Sequence, residues 1–340
     1  MGYSGRDSDD MKIRILSAVL IVFFLGVGVF LRHRLAAPRL QGIEEARIYA
    51  EQILGSKSPK EAYELFKKRY ATVPIADAHV ASHAFGEALY AKAGVDGFSV
   101  CDATFGFGCF HTFIPAAIAD KGTEVIREFD QSCVKVFGPV SLGCFHGIGH
   151  GLLAYEGYTQ EGVQKSLTLC KSLSWKHIYG GCPEGVFMEY DFRTTIPDTS
   201  KQLRPFSEDE KYLPCSAVDQ ASRVDCYFSI PSWWGAALRG NAERYTIMGR
   251  YCASVIAPDQ RRACYRGIGY EIAPTTNFRV EPGIRACDSA QKGGVECREG
   301  LAWALYADPT FRPEAEKACT TDLSTALSAV CIRDYLFILK

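Results

Sequence analysis

The spacing of hydrophobic and polar residues predicts that helices make up almost the whole chain. Residues 13–31 form a single apolar run in which Arg14 is the one charged residue. Nineteen residues at the helical rise of 1.5 Å span about 28 Å, close to the hydrocarbon thickness of a bilayer. Beyond this run apolar positions recur at helical spacing, which predicts the first three helices over residues 42–54, 58–71 and 75–93.

The apolar run is long for the core of a cleaved signal peptide. No small-x-small cleavage motif follows it, because Arg32 and Arg34 come next. We therefore predict a cytoplasmic tail over residues 1–12, a transmembrane signal anchor over 13–31, a linker over 32–42 and a folded domain over 43–340. A cleaved signal peptide is the alternative. Basic residues flank both ends of the run, so their charge does not decide its orientation.

The fourteen cysteines of the chain divide into seven consecutive pairs with none left over. The two members of a pair are eight to twelve residues apart, and the second members recur every 33 to 44 residues. A regular period in this range is typical of a solenoid of two-helix units. The pairs are Cys101 with Cys109, Cys133 with Cys144, Cys170 with Cys182, Cys215 with Cys226, Cys252 with Cys264, Cys287 with Cys297, and Cys319 with Cys331.

Each pair is expected to join two helices of one repeat, a helix A that ends near the first cysteine and a helix B that begins at the second. Residues 159–170 show helix A with Thr159 as its N-cap, and residues 313–319 show it with proline in the first turn. A disulfide within each pair would link A to B and stabilise the repeat by about 2–3 kcal/mol through loop entropy. Glycines after the second cysteine would let neighbouring helices approach closely.

Complete pairing of the cysteines beside a membrane segment predicts a domain outside the cytoplasm, in a periplasmic, extracellular or lumenal compartment. Fourteen reduced thiols in a cytosolic protein are the alternative. A zinc array is disfavoured because the sequence has no Cys-x-x-Cys motif.

Residues 193–208, which are rich in Pro, Thr, Ser and charge, are predicted to project as a loop. Residues 323–340 are predicted to form a helix that caps the stack.

Cysteine-paired helical hairpins of about 35 residues resemble the disulfide-bearing, Sel-like branch of the tetratricopeptide superfamily. The resemblance covers residues 95–340 and rests on the period and the pairing. It implies an all-α protein, an α-solenoid of about seven to eight hairpin repeats with one disulfide in each. It implies no particular activity.

Five of the seven histidines recur at two equivalent positions of the first three B helices. A pair at i,i+4 places two imidazoles on one face of a helix, as in helical metal sites. We therefore predict a transition-metal site for one or two ions of zinc, iron or copper. Glu184, which continues the row, and Glu87 are candidates for a further ligand or a general base. The five predicted ligands are His79, His83, His111, His146 and His150.

Two functions follow from these patterns, and the sequence does not decide whether the protein is an enzyme. The first is a metalloprotein with oxidase or hydrolase activity. The second is a scaffold that binds a peptide or protein on its concave face. An aromatic stripe could serve that face, although such residues more often form a core. Its members would be Trp233, Trp234, Tyr270, Trp303 and Phe337.

Three further observations limit the function. The histidines could instead bond to backbone carbonyls in a crowded stack, or form a pH-sensitive surface. The formal net charge of −1 gives no indication of a nucleic-acid partner. Nucleotide-binding, Ser-His-Asp and covalent-haem motifs are absent from the sequence.

Overall fold

A computed structural model of the protein describes residues 39–138, 142–175, 179–195, 201–307 and 311–338. The predicted tail over 1–12, the predicted membrane anchor over 13–31 and most of the predicted linker over 32–42 lie outside the described residues. Among the helices that the structure describes, none has the length and apolarity needed to cross a bilayer.

The described residues form fifteen α-helices, joined by turns and short 3₁₀ segments, and they contain no β-strand. The all-α prediction is therefore confirmed. The helices are α1 (Arg39–Ser56), α2 (Pro59–Tyr70), α3 (Ile75–Ala93), α4 (Phe110–Lys121), α5 (Ile126–Phe137), α6 (Leu142–Glu156), α7 (Gln160–Lys171), α8 (Gly181–Phe192), α9 (Arg223–Ala237), α10 (Arg244–Ala253), α11 (Pro258–Thr275), α12 (Val280–Ser289), α13 (Gly294–Ala307), α14 (Ala315–Thr320) and α15 (Thr325–Ile338).

All seven predicted disulfides are present, and no cysteine in the described part of the chain is free. Their Cα–Cα distances of 5.3 to 5.8 Å lie in the usual range. Seven disulfides indicate that the domain folds in an oxidising compartment. The bridges join Cys101 to Cys109, Cys133 to Cys144, Cys170 to Cys182, Cys215 to Cys226, Cys252 to Cys264, Cys287 to Cys297, and Cys319 to Cys331.

Five of the bridges join two α-helices, as predicted. In the other two the first cysteine lies outside any α-helix: a 3₁₀ helix, Gly94–Val100, ends directly before Cys101, and turns surround Cys215. Among the described residues, the prediction of an α-helix A that ends near the first cysteine is therefore wrong for these two pairs.

The prediction that each helix B begins at its second cysteine is confirmed to within two residues for three B helices and is wrong for the other four. The helix α4 begins directly after Cys109, α8 directly before Cys182, and α6 two residues before Cys144. The other four begin three to six residues before their cysteine. Pro258, for example, occupies the first turn of α11. The second cysteines inside their helices are Cys144 in α6, Cys182 in α8, Cys226 in α9, Cys264 in α11, Cys297 in α13 and Cys331 in α15.

Each B helix packs against the next B helix along the chain. This set consists of α4, α6, α8, α9, α11, α13 and α15, with α3 as an additional member at the N-terminal end. Each A helix packs on its own partner, and four of the five also pack on the preceding B helix. Equivalent positions of successive B helices therefore become neighbours.

Glycines bring the backbones of neighbouring B helices into contact. A methyl group added at Gly149 would collide with the carbonyl oxygen of Cys182, and one at Gly185 would collide with that of His146. Gly269 of α11 and Gly300 of α13 form the same kind of contact between a later pair of B helices. Only residues without a side chain allow this approach, which places α8 directly against α6.

The described residues 193–195 and 201–208 of the predicted loop over 193–208 contain no α-helix or strand, as predicted, but one side chain anchors the segment to the domain. Arg204 is 7% exposed, and its guanidinium lies 3.5 Å from the centre of the Trp233 ring. Its Nε also donates to Asp191 at 2.7 Å. Ion pairing and a cation–π contact, which satisfy a buried charge, hold this segment on α8 and α9.

The predicted aromatic stripe divides into two groups in the structure. Trp234 is fully buried beside Tyr212 and Tyr251, and its indole nitrogen donates to a backbone carbonyl. Tyr270 and Trp303 pack with each other instead, with ring centres 5.1 Å apart. The side chain of Phe337 lies outside the described residues. Trp234 therefore belongs to the core and is closed to a partner.

Candidate metal centre

Five histidines from three consecutive B helices form one cluster of imidazole rings. Their neighbouring ring centres are 4.7 to 5.4 Å apart. Potential ligand atoms of two sets of three residues lie within 4.8 Å of one another. We call His111, His146 and His150 the inner trio, and His79, His83 and His111 the outer trio. His111 belongs to both sets.

The inner trio is enclosed by the protein. His111 and His146 are each 7% exposed, and His150 has no exposed surface. In the outer trio, His79 and His83 are partly exposed. The two sets thus share one chemistry but differ in their access to solvent.

The carboxylate of Glu189 fixes the orientation of His150. Its Oε2 lies 2.7 Å from Nδ1 of His150, and both side chains are buried. The hydroxyl groups of Tyr158, Thr194 and Thr195 also donate to this carboxylate. Burial opposes ionisation, but these hydrogen bonds outweigh it and lower the pKa of Glu189 to about 2. An ionised carboxylate only accepts, so Nδ1 of His150 carries the proton and Nε2 presents a lone pair.

That lone pair points toward His146. The two Nε2 atoms are 2.9 Å apart, so His146 donates a hydrogen bond to His150. In tetrahedral zinc sites with Zn–N bonds near 2.0–2.1 Å, neighbouring nitrogens are about 3.3 Å apart. Because the observed distance is only slightly shorter, a metal ion could replace the shared proton after a small movement of the rings.

Glu184 lies on the other side of His146. Its Oε2 is 3.3 Å from Nδ1 of that ring, and the side chain is 6% exposed. The structure thus brings the predicted Glu184 to the histidine cluster. A carboxylate in this position can take part in binding a cation.

His79 and His83, the outer pair, repeat the geometry of His146 and His150, the inner pair. Nδ1 of His79 donates to the carbonyl oxygen of Phe105 at 2.8 Å, and its Nε2 lies 3.2 Å from Nε2 of His83. The loop that supplies this carbonyl is closed by the disulfide between Cys101 and Cys109. Its backbone is left-handed over residues 105–107, where φ is between 55° and 63°. Such a turn is sparsely populated in proteins and often occurs at functional sites.

Burial favours the neutral form of four histidines in the cluster. It lowers the pKa of His79 and His150, and it lowers the pKa of His83 and His111 well below the usual value. Repulsion among the rings acts in the same direction. Neutral imidazoles retain the lone pairs that metal ions require. The lowered pKa values argue against a surface that senses pH near neutrality.

The structure does not bring Glu87 to the histidines. Its side chain is exposed, and it forms an ion pair with Arg47 of α1 at 3.5 Å. Glu189 was missed, although it makes the shortest polar contact with the inner trio. The available signal was weak, since an acidic residue within the apolar sequence Val186–Tyr190 suggests a buried partner without naming one.

The position that carries His111, His146 and Glu184 has different chemistry in the later B helices. There Arg266 donates to Glu299 at 2.7 Å and to Asp334 at 3.4 Å. The same guanidinium also donates to the hydroxyl of Tyr179 at 3.1 Å. This buried ion-pair network is the structural counterpart of the histidine cluster, so equivalent positions can be compared directly.

Comparison with known proteins does not assign this site. No protein family, no curated protein and no solved structure matches the chain. The buried histidine cluster could hold a metal ion, and its geometry alone supports an assignment of function.

Proposed function

We propose that this protein is an extracytoplasmic metalloprotein that binds a transition-metal ion through the inner trio. One observation carries the proposal: Nε2 of His150, held as a lone-pair donor by Glu189, lies 2.9 Å from Nε2 of His146 within reach of His111. Ligand histidines in metal sites commonly donate their second nitrogen to a carboxylate in this way. Packing alone does not require three buried imidazoles with facing nitrogens.

Three imidazoles and a neighbouring carboxylate suit zinc, iron or copper. Glu184 is the proposed fourth ligand or, if a substrate occupies that position, the general base. A bound ion of this kind polarises a carbonyl or phosphoryl oxygen, and a redox-active one supports oxidation. A metal-dependent hydrolase or oxidase is therefore the proposed class of activity.

The proposal includes an arrangement in the cell. Residues 13–31 would anchor the protein as a single transmembrane span, with the disulfide-linked domain outside the cytoplasm. The sequential packing of the B helices supports an α-solenoid of the Sel-like type. A peptide or protein partner on the concave face is the alternative function, and it would require residues other than the buried Trp234.

Elemental analysis tests the proposal. The full chain would be produced in an oxidising compartment and purified in detergent without a polyhistidine tag. We expect bound zinc, iron or copper in the wild type, and its loss in the double variant His146→Ala/His150→Ala. The seven disulfides should preserve the helical content of that variant, which circular dichroism checks.

A matched control is available because the repeats are equivalent. Glu299→Gln alters a buried carboxylate at the repeat position that Glu184 occupies, but next to Arg266 rather than a histidine. This variant should retain the metal. Wild-type protein that remains metal-free after incubation with each of the three ions would contradict the proposal and favour the scaffold function.

A further inference from the structure

His111 lies between two pairs of histidines that belong to different helices. Its ring centre is 4.9 Å from that of His79 and 5.4 Å from that of His83 on α3. It is 5.0 Å from the ring centres of both His146 and His150 on α6. An imidazole has two nitrogens on opposite sides of the ring, so one side chain can serve two sites.

The outer pair presents a nitrogen lone pair to a metal ion in the same way as the inner pair. In each, one histidine has its Nδ1 proton held by an oxygen acceptor, the carbonyl of Phe105 for His79 and the carboxylate of Glu189 for His150. The Nε2 atom of that ring therefore presents a lone pair to its i+4 or i−4 neighbour. The Nε2–Nε2 distance of 3.2 Å in the outer pair is close to the separation of about 3.3 Å expected in a tetrahedral site.

We propose that the outer trio binds a second transition-metal ion and that His111 bridges the two ions. This inference rests on the proposed function, because it extends the same cluster from one ion to two. When both ions are bound, the remaining N–H bond of His111 breaks and its proton passes to solvent. A metal–nitrogen bond forms at each ring nitrogen, so no oxidant or reductant is needed.

The surroundings of the two trios give the ions different roles. The inner trio adjoins the carboxylates of Glu184 and Glu189, which offset the charge of a cation in a buried site. The anchor of the outer trio is a neutral carbonyl, and His79 and His83 are partly exposed. The inner ion should therefore bind first and exchange slowly. The outer ion should exchange readily and be the one that a substrate reaches, as in catalytic sites with an open coordination position.

The test is a titration of the metal-free full chain with Zn²⁺, followed by elemental analysis after gel filtration. We expect two equivalents in the wild type, one in His79→Ala/His83→Ala and none that survives gel filtration in His111→Ala/His146→Ala/His150→Ala. The matched control is His33→Ala/His177→Ala, which removes the two histidines that belong to neither trio and should leave two equivalents. Near-ultraviolet circular dichroism verifies the fold of each variant.

The outcomes separate this inference from the proposed function. One equivalent in the wild type that is unchanged in His79→Ala/His83→Ala overturns the second ion and leaves the inner site intact. No bound zinc in the wild type overturns both. Stoichiometry that falls in His33→Ala/His177→Ala places the second ion elsewhere and overturns the inference.

The bridge itself has a spectroscopic test that does not depend on activity. Two Cu²⁺ ions joined by one imidazole ring are magnetically coupled. The protein with two equivalents of Cu²⁺ should therefore give less paramagnetic resonance signal than twice that of the protein with one. Two fully additive signals would overturn the bridging role of His111.

Discussion

Glu189 accepts a hydrogen bond from Nδ1 of His150 at 2.7 Å in a place where their side chains are 0% and 1% exposed. A carboxylate so deeply buried is unfavourable unless donors surround it. Here the donors come from His150, from Tyr158 and from the hydroxyl and backbone N–H groups of Thr194 and Thr195. The contact fixes which nitrogen of His150 faces the other histidines, so it links the stability of the core to the chemistry of the cluster.

Glu189→Gln should weaken metal binding about 10- to 100-fold, the usual cost of losing the partner of a ligand histidine. The amide loses the negative charge and turns an NH₂ group toward groups that are themselves donors. For the same reason we expect the free energy of unfolding to fall by about 1–3 kcal/mol. Equilibrium competition with a chelator measures the affinity, and urea denaturation measures the stability.

Glu161→Gln is the control for this substitution. Glu161 is an exposed carboxylate of α7 that pairs with Lys165, so its loss should change neither quantity appreciably. Equal metal affinity in the wild type and in Glu189→Gln would show that His150 needs no partner to bind the ion.

Glu184→Gln and Glu299→Gln form a matched pair at equivalent repeat positions. Glu184 lies 3.3 Å from His146, whereas Glu299 lies 2.7 Å from Arg266. If Glu184 is the fourth ligand, only its substitution should lower metal affinity, by at least about tenfold. Glu299→Gln should instead reduce stability, because it leaves the buried charge of Arg266 less well compensated. Competition with a chelator measures the metal affinity of both variants. Equal affinities would show that Glu184 is not a ligand.

The disulfides and the convergence of the histidines were predictable because both depend on local spacing. Cysteines eight to twelve residues apart can join two neighbouring helices, and a position counted from the second cysteine is the same in every B helix. Once each B helix packs on the next, His111 and His146 become neighbours. The sequence therefore predicts which histidines come together, but not the distances between them.

The partner of His150 was not predictable for a physical reason. Besides His150, Thr194 and Thr195 donate to Glu189, and these residues follow Arg193, whose φ of 47° turns the chain back. Such irregular backbone has no periodic pattern in the sequence. Before the first disulfide the chain forms a 3₁₀ helix, Gly94–Val100, because the glycines at positions 94 and 97 weaken α-helix formation.

Gly185→Ala should destabilise the protein by about 1–3 kcal/mol, because the added methyl group meets the carbonyl oxygen of His146. The collision also pushes α8 away from α6, which moves Glu184 and Glu189 relative to the histidines. Metal affinity should therefore fall together with stability. Urea denaturation and chelator competition on the same sample measure the two effects.

Gly55→Ala is the matched control. Gly55 lies in α1, and no heavy atom beyond the neighbouring turns of its own helix lies within 4 Å of the added methyl group, so alanine should stabilise the helix by up to about 1 kcal/mol. We expect the free energy of unfolding to fall in Gly185→Ala and to rise in Gly55→Ala. A rise in both would mean that contact between the B-helix backbones does not exclude a side chain at residue 185.

Glu271→Gln should remove part of the pH dependence of stability. Glu271 of α11 is 7% exposed, and burial raises its pKa to about 7, although Arg244 and Arg239 partly oppose this. The folded chain thus binds a proton that the unfolded chain, with an ordinary pKa of 4.5, has released. The stability that this residue contributes is complete below pH 4.5 and is lost as the pH rises through 7.

A shift from 4.5 to about 7 corresponds to a difference of about 3 kcal/mol between the two ends of this range. Burial also raises the pKa of Asp191 and Glu299 to about 7, so only the difference between variant and wild type isolates Glu271. Urea denaturation at several pH values from 4.5 to 8 measures this difference in the free energy of unfolding. The variant should lose less stability than the wild type as the pH rises, whereas Glu281→Gln, an exposed control on α12, should parallel the wild type. Parallel curves for Glu271→Gln would show that Glu271 is already ionised in the folded protein, with its charge balanced by the nearby arginines.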